Sequence, residues 1–361
     1  TTVNGTISAG IVGVSSIGWL FQPFNTGSYA QMSAGNGGDV QITNSGSVAS
    51  NGATSLGLVA LSIGNSGLLV NNGNSTSNTY VGSAVTQNGA NSNAGSATVS
   101  NSGSVITVGE SSVGILAAAN GSGGLFNNNI NPIYGTPVVN KTTQIQTAPL
   151  TSGVYMGSQE NSYTADGGAV SVTNTGTVVT GINGGGGEAS IGIVAQSVGG
   201  GGGSYAGTSG LAWVGDAGGL GGDGGTVSVQ NLSSGSVTTV NDGSIGILAQ
   251  SIGGGGGNGA GASGLFAAVG GSGGGGGNGG TVSVSNGVAG NSVPSIVTSG
   301  DYSAGIVAQS VGGGGGNGGY SKSYGVFVST GIGGAGGDGG SGGTVNFTNY
   351  GTIQSSGDQS Q

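Results

Sequence analysis

Eleven carboxylates and two lysines carry nearly all the charge chemistry of this 361-residue chain, because histidine, cysteine and arginine are absent. Five of the acids, Glu110, Glu188, Asp242, Asp301 and Asp358, share one repeating position. Each stands four residues ahead of a recurring glycine, or of the place where the next one is due. Asp39, Asp166, Asp223 and Asp338 stand at a second position, where the chain returns into a valine-rich strand, and Asn278 takes the equivalent place. An uncompensated acidic row is what a hard divalent cation bridges through oxygen ligands, so the first column is a candidate weak calcium site. Turn capping is the plainer reading, since Asx side chains close turns on nearby amides.

Other chemistry is poorly supplied. A Ser-His-Asp triad lacks its base. Lyases that work on β-helices use basic residues in cationic grooves, and Lys141 and Lys322 are isolated. A paired-carboxylate glycosidase needs two acids converging on one bond, and no acid has a distinctive apolar setting. The glycine runs satisfy G-x-G-x-x-G many times over, but no helix follows them, so the dinucleotide reading fails. Gly218 to Asp223 and Gly333 to Asp338 match the first six positions of a calcium β-roll nonapeptide. Gly225 and Gly340 then replace the large apolar residue that motif requires, and neither copy is repeated in tandem. The sequence therefore reads as a non-enzyme with no cofactor, calcium on the acidic column being the alternative.

The recurring glycine belongs to the phrase Ser303-Ala304-Gly305-Ile306-Val307-Ala308-Gln309-Ser310, with further copies centred on Gly10, Gly57, Gly114, Gly192 and Gly246. Recurrence at intervals of 47 to 78 residues marks a solenoid or array. Two shorter phrases accompany each anchor. One alternates and ends in asparagine: Val40 to Asn44, Ala97 to Asn101, Val170 to Asn174, Val227 to Asn231, Val282 to Asn286 and Val345 to Asn349. The other follows a turn, as in Gly46-Ser47-Val48 and Gly176-Thr177-Val178-Val179. Period-two alternation punctuated by Gly and Asn reads as short strands and turns. The three phrases together make about one coil of a parallel β-helix.

Between each anchor and the next asparagine strand lies an excursion. The later excursions run glycine tract, apolar strand, glycine tract, with Trp213, Phe266 and Phe327 in the apolar pieces. Those aromatics read as an accessory hydrophobic layer, with a sugar- or surface-binding patch as the alternative. The earlier excursions carry Trp19, Phe21, Phe24 and Tyr29, or Pro132, Pro137 and Pro149. The whole chain, 1–361, reads as one continuous solenoid of about six modules, and as a segment of a longer repeat protein.

The phrase G-I-[VL]-A-Q-S-[VI]-G-G-G-G-G, followed by G-G-T-V-S-V and asparagine, resembles the glycine-rich repeats of large autotransporter passengers of Gram-negative bacteria. The likeness is close over 166 to 353 and looser over 1 to 165. It implies a right-handed β-helical passenger exported through an outer-membrane barrel to the cell surface. Adhesins, biofilm matrix and filaments are the roles it implies, with a host or abiotic surface, or further copies, as partners. Composition agrees on what to exclude: a net charge of −9 disfavours nucleic acid and anionic membrane. No apolar run is long enough for a membrane-spanning helix. A calcium-dependent binding module is the alternative function, and a carbohydrate-active β-helix enzyme the remote one.

Three arrangements follow from such a coil. The six terminal asparagines stack as an amide ladder, and Gln196, Gln250 and Gln309 form a second, as in cross-β stacks. The tracts Gly199 to Gly203, Gly253 to Gly257 and Gly312 to Gly316 run side by side, extended or as three-fold polyproline-II-like helices. The acids of the first column stand about 5 Å apart if a module is one coil and about 10 Å if it is two, repelling in water by about 0.8 or 0.4 kcal/mol per pair.

Overall fold

The computed structural model describes residues 2–4, 7–16, 36–52, 54–64, 68–69, 80–81, 93–109, 112–121, 165–181, 190–202, 208–290, 293–325 and 329–361. These residues are all-β, and three parallel sheets wind them into a β-helix. The asparagine sheet stacks Val40–Asn44, Ala97–Asn101, Val170–Asn174, Val227–Asn231, Val282–Asn286 and Val345–Asn349. The threonine sheet stacks Thr2–Asn4, Ser47–Asn51, Ser104–Val108, Thr177–Thr180, Ser236–Val240, Ser295–Ser299 and Thr352–Ser356. The anchor sheet stacks Ile7–Ser16, Thr54–Ile63, Val113–Asn120, Ile191–Val198, Ile245–Ile252 and Ala304–Val311. Successive anchors pair directly, Ile191 with Ile245 and Ile247 with Ile306, so one module is one coil.

Alternation sorts each strand into an inward and an outward face. Inward columns run Val99, Val172, Val229 and Val284; Val105, Val178, Val237 and Ile296; Ile115, Ile193 and Ile247; Ala117, Ala195 and Ala249, all buried in one core. A coil so thin has no room for anything larger. The anchor glycine shows why: a Cβ on Gly57, Gly114 or Gly192 would overlap Cγ1 of Val105, Val178 or Val237 in the neighbouring coil. That corner belongs to the branched residue of the threonine sheet, and only a glycine opposite it leaves the space. The outer face of the anchor sheet is also apolar, with Leu56, Val59, Leu61, Val113, Val194 and Leu248 buried in a second cluster.

The later excursions form a lateral wing. Its far end is a parallel sheet of Thr208–Val214 and Ala262–Val269, with Ser321–Ser323 and Thr330–Ile332 both paired to the latter strand. Glycine tracts connect this sheet to the coil, outgoing (199–202, 253–261, 312–320) and returning (215–226, 270–281, 333–344). Their hydrogen bonds repeat every three residues. Gly253 donates to Val311 at the end of the next anchor strand and Gly256 to Gly314 of the outgoing tract that follows it, while Gly254 and Gly257 donate to Gly222 and Gly219 of a returning one. Gly271, Gly274 and Gly277 of the returning tract donate back to Ala260, Gly257 and Gly254. Three residues per turn with lateral bonds is the polyproline-II helix, packed here in two layers.

The expected neighbouring of tracts is therefore present: Gly199 and Gly202 donate to Ile252 and Gly255 at 2.8 and 2.7 Å. Gly203 lies outside the described residues. The returning tracts, read from sequence as glycine tracts with imperfect β-roll matches, are triplets of the form Gly-Gly-X over 218–226, 270–281 and 333–344. Two positions in three face other backbones, and the third faces out. Cβ atoms on Gly274 and Gly277 would overlap the carbonyl oxygens of Gly219 and Gly222, whereas a Cβ on Gly275 meets nothing closer than 3.6 Å.

Candidate functional site

The asparagine strands end in a continuous ladder. Nδ2 of Asn44, Asn101, Asn174, Asn231 and Asn286 donates to Oδ1 of the asparagine one coil on at 2.8 to 2.9 Å. The second amide hydrogen turns to the local chain, as Asn101 does to the Gly103 carbonyl at 3.3 Å and Asn174 to that of Gly176 at 3.1 Å. Both hydrogens are thus used, and the side chain closes the turn that leads into the threonine sheet. The glutamine ladder is also in place: Gln196 donates to Gln250 at 3.1 Å and Gln250 to Gln309 at 2.8 Å.

The acidic columns obey a related rule. Oδ1 of Asp242 accepts the backbone N–H of Asp301 at 2.9 Å, and Oδ1 of Asp301 accepts that of Asp358 at 2.7 Å. Each carboxylate caps the outward amide of its own counterpart one coil on. Glu110 and Glu188 lie outside the described residues. Among the described residues no group of three or more acidic side chains is arranged to hold a metal ion.

The second acidic column divides. Asn36, Asn93, Asp166, Asp223 and Asn278 form one capping series that ends on the Ser341 amide, with bonds of 2.6 to 3.0 Å. Asp39 stands three residues later, where its Oδ1 accepts the Ser96 N–H at 2.7 Å and the Ser96 hydroxyl at 2.8 Å. Those two bonds, the amide's first, hold its carboxyl below the usual range. Asp338 stands three residues before Ser341, in register with Gly275 rather than Asp223. A three-residue helix puts all three sites on one outward face, which is why they looked alike in sequence.

The cap needs an acceptor oxygen, not a charge, because Asn36, Asn93 and Asn278 serve in the series alongside Asp166 and Asp223. Asp223→Asn is expected to leave the melting temperature unchanged, while Asp223→Ala lowers stability by about 1 kcal/mol. Denaturant melts of the two variants would check this.

The aromatics do not fill an accessory core. Trp213 and Phe266 are 42% and 58% exposed, and Phe327 lies outside the described residues. Val214, Leu265, Tyr320, Tyr324 and Ile332 are exposed on the same wing end. Val214, Val269 and Ile332 share one column of the wing sheet. Lys322, one of the two lysines, places Nζ 5.4 Å from the centroid of the Tyr320 ring, a cation–π geometry. The wing end is thus an apolar, aromatic rim; a second group of exposed apolar side chains, Val345, Phe347, Tyr350 and Ile353, lies on the last described coil.

Compared with protein-family models, curated proteins and solved structures, the chain matches none. Among the described residues no helix is long and apolar enough to cross a membrane.

Proposed function

We propose that the chain is a non-catalytic structural and adhesive solenoid of the bacterial cell surface, as the resemblance to autotransporter passengers implies. The coil is its rigid spacer and the wing end its contact surface. One observation carries the reading: Trp213, Val214, Leu265, Phe266 and Ile332, all on the strands of the wing sheet, are exposed. Clustered exposed apolar side chains mark interaction sites. The supporting frame is stiff, since backbone hydrogen bonds tie every coil and every tract to the next. No cofactor enters this role.

The test is adsorption of the intact chain to an apolar surface, followed by microbalance, for the native protein and for a Trp213→Ser/Phe266→Ser double variant. Binding is expected to fall at least several-fold while circular dichroism is unchanged. Equal adsorption of the two would exclude the wing end as the contact surface. Sedimentation of the same pair distinguishes attachment to a foreign surface from self-association into fibres.

A further inference from the structure

The threonine sheet carries a hydroxyl on its inward face in every complete coil. Ser50, Thr107, Thr180, Thr239, Thr298 and Ser355 occupy one column, each in register with the next. Thr107, Thr180, Thr239 and Thr298 are 0% exposed. Their four Oγ1 atoms have no hydrogen-bond partner in the protein. The neighbouring inward column behaves differently. Ser55 donates to the carbonyls of Gly52 and Val108 at 2.9 Å, Ser112 to Gly109 at 3.0 Å, and Ser244 to Val240 at 3.1 Å. The fold satisfies hydroxyls at this corner where the backbone lies within reach, and gives these four threonine hydroxyls no partner within the protein.

A buried hydroxyl without a partner is unfavourable, and valine has the same shape without that penalty. Two residues earlier the same strands do use Val105, Val178, Val237 and Ile296. A repeat that keeps the hydroxyl through successive coils, against so cheap a replacement, has a partner for it outside the chain. We propose that this column is an internal water-binding site, a single file with one water between each pair of successive threonines. The spacing suits it. Coils repeat at about 4.8 Å, and a water bonded at about 2.8 Å to two oxygens that far apart subtends roughly 120° between them. Each hydroxyl then donates to one water and accepts from the other, giving a hydrogen-bonded chain along the solenoid axis. Buried waters of this kind bind where two or more polar partners converge.

The direct test is a crystal structure of the native chain at a resolution that shows ordered solvent. The expected result is a water peak within about 3.2 Å of Oγ1 of Thr180, Thr239 and their neighbours. A dry column overturns the proposal. Thr180→Val and Thr239→Val provide the second arm. With a water file, each valine interrupts it, and the melting temperature falls by roughly 2 °C or more. A rise on Thr→Val means that the hydroxyls are unpaired, and overturns the proposal independently of the crystallography.

Discussion

Gly274→Ala will unzip the wing, and Gly275→Ala, one residue on, will strengthen it. The Gly274 N–H donates to the Gly257 carbonyl at 2.8 Å, and its own carbonyl accepts from Gly316 at 2.8 Å. A Cβ there would overlap the Gly219 carbonyl, a fixed backbone atom that also accepts from Gly257. No rotamer relieves that contact, so two layers must separate, at a cost of about 3 kcal/mol or more. Gly275 faces outward with its nearest contacts at 3.6 and 3.8 Å, and Leu220 and Asp338 already hold the equivalent place in adjacent tracts. Alanine there reduces the freedom of the unfolded chain and adds about 0.4–1 kcal/mol. Hydrogen exchange of the wing amides, with melting curves for alanine at each position from 270 to 279, should show a period of three. Uniform effects along the tract would mean that the lateral bonds are not those of a three-fold helix.

Asn174→Ala is the second large expected effect. Asn174 is 0% exposed. Truncation leaves the Asn231 oxygen without its donor, removes the acceptor from Asn101 Nδ2, and takes one of two donors from the Gly176 carbonyl, which keeps the Ser236 N–H. Buried polar groups left unpaired cost about 1–3 kcal/mol each, so a total of about 3 kcal/mol is expected. Asn174→Asp separates the ladder from simple packing. At neutral pH it sets a buried carboxylate oxygen against the Asn231 oxygen, and it should be worse than alanine. Its folded-state pKa is then raised, because burial and the facing oxygen disfavour the charge. The defect is therefore full above the folded pKa and is relieved as pH falls through it, when the protonated carboxyl becomes a donor. Denaturant midpoints at pH 4 and pH 7 for both variants would measure this. A pH-independent defect in Asn174→Asp would show that the amide stack does not hold the turn.

Much of the coil was legible in the sequence because its information is periodic. Val-x-Val-x-Asn, the inward valines and the anchor glycine recur with the hydrogen-bond register, and equivalent positions in a parallel stack must be neighbours. That logic places the asparagine and glutamine ladders. It also gives Asp242 and Asp301 one environment, although their partner is the amide one coil on rather than the turn around them.

What the sequence left open depended on directions perpendicular to the strands. A run of glycines has no side-chain pattern to show which backbones it faces, so the two-layer packing and its Gly-Gly-X rule needed the tertiary structure. The three-residue helix then explains why Asp39 and Asp338 look equivalent to Asp223 but occupy other columns. Trp213 and Phe266 stand in short continuous apolar runs, which read as an accessory layer, yet both are exposed on the wing sheet. The threonine column is the converse: Thr107, Thr180, Thr239 and Thr298 read as ordinary β-formers, and that their buried hydroxyls have no partner within the protein appears only when the third sheet closes the coil over them.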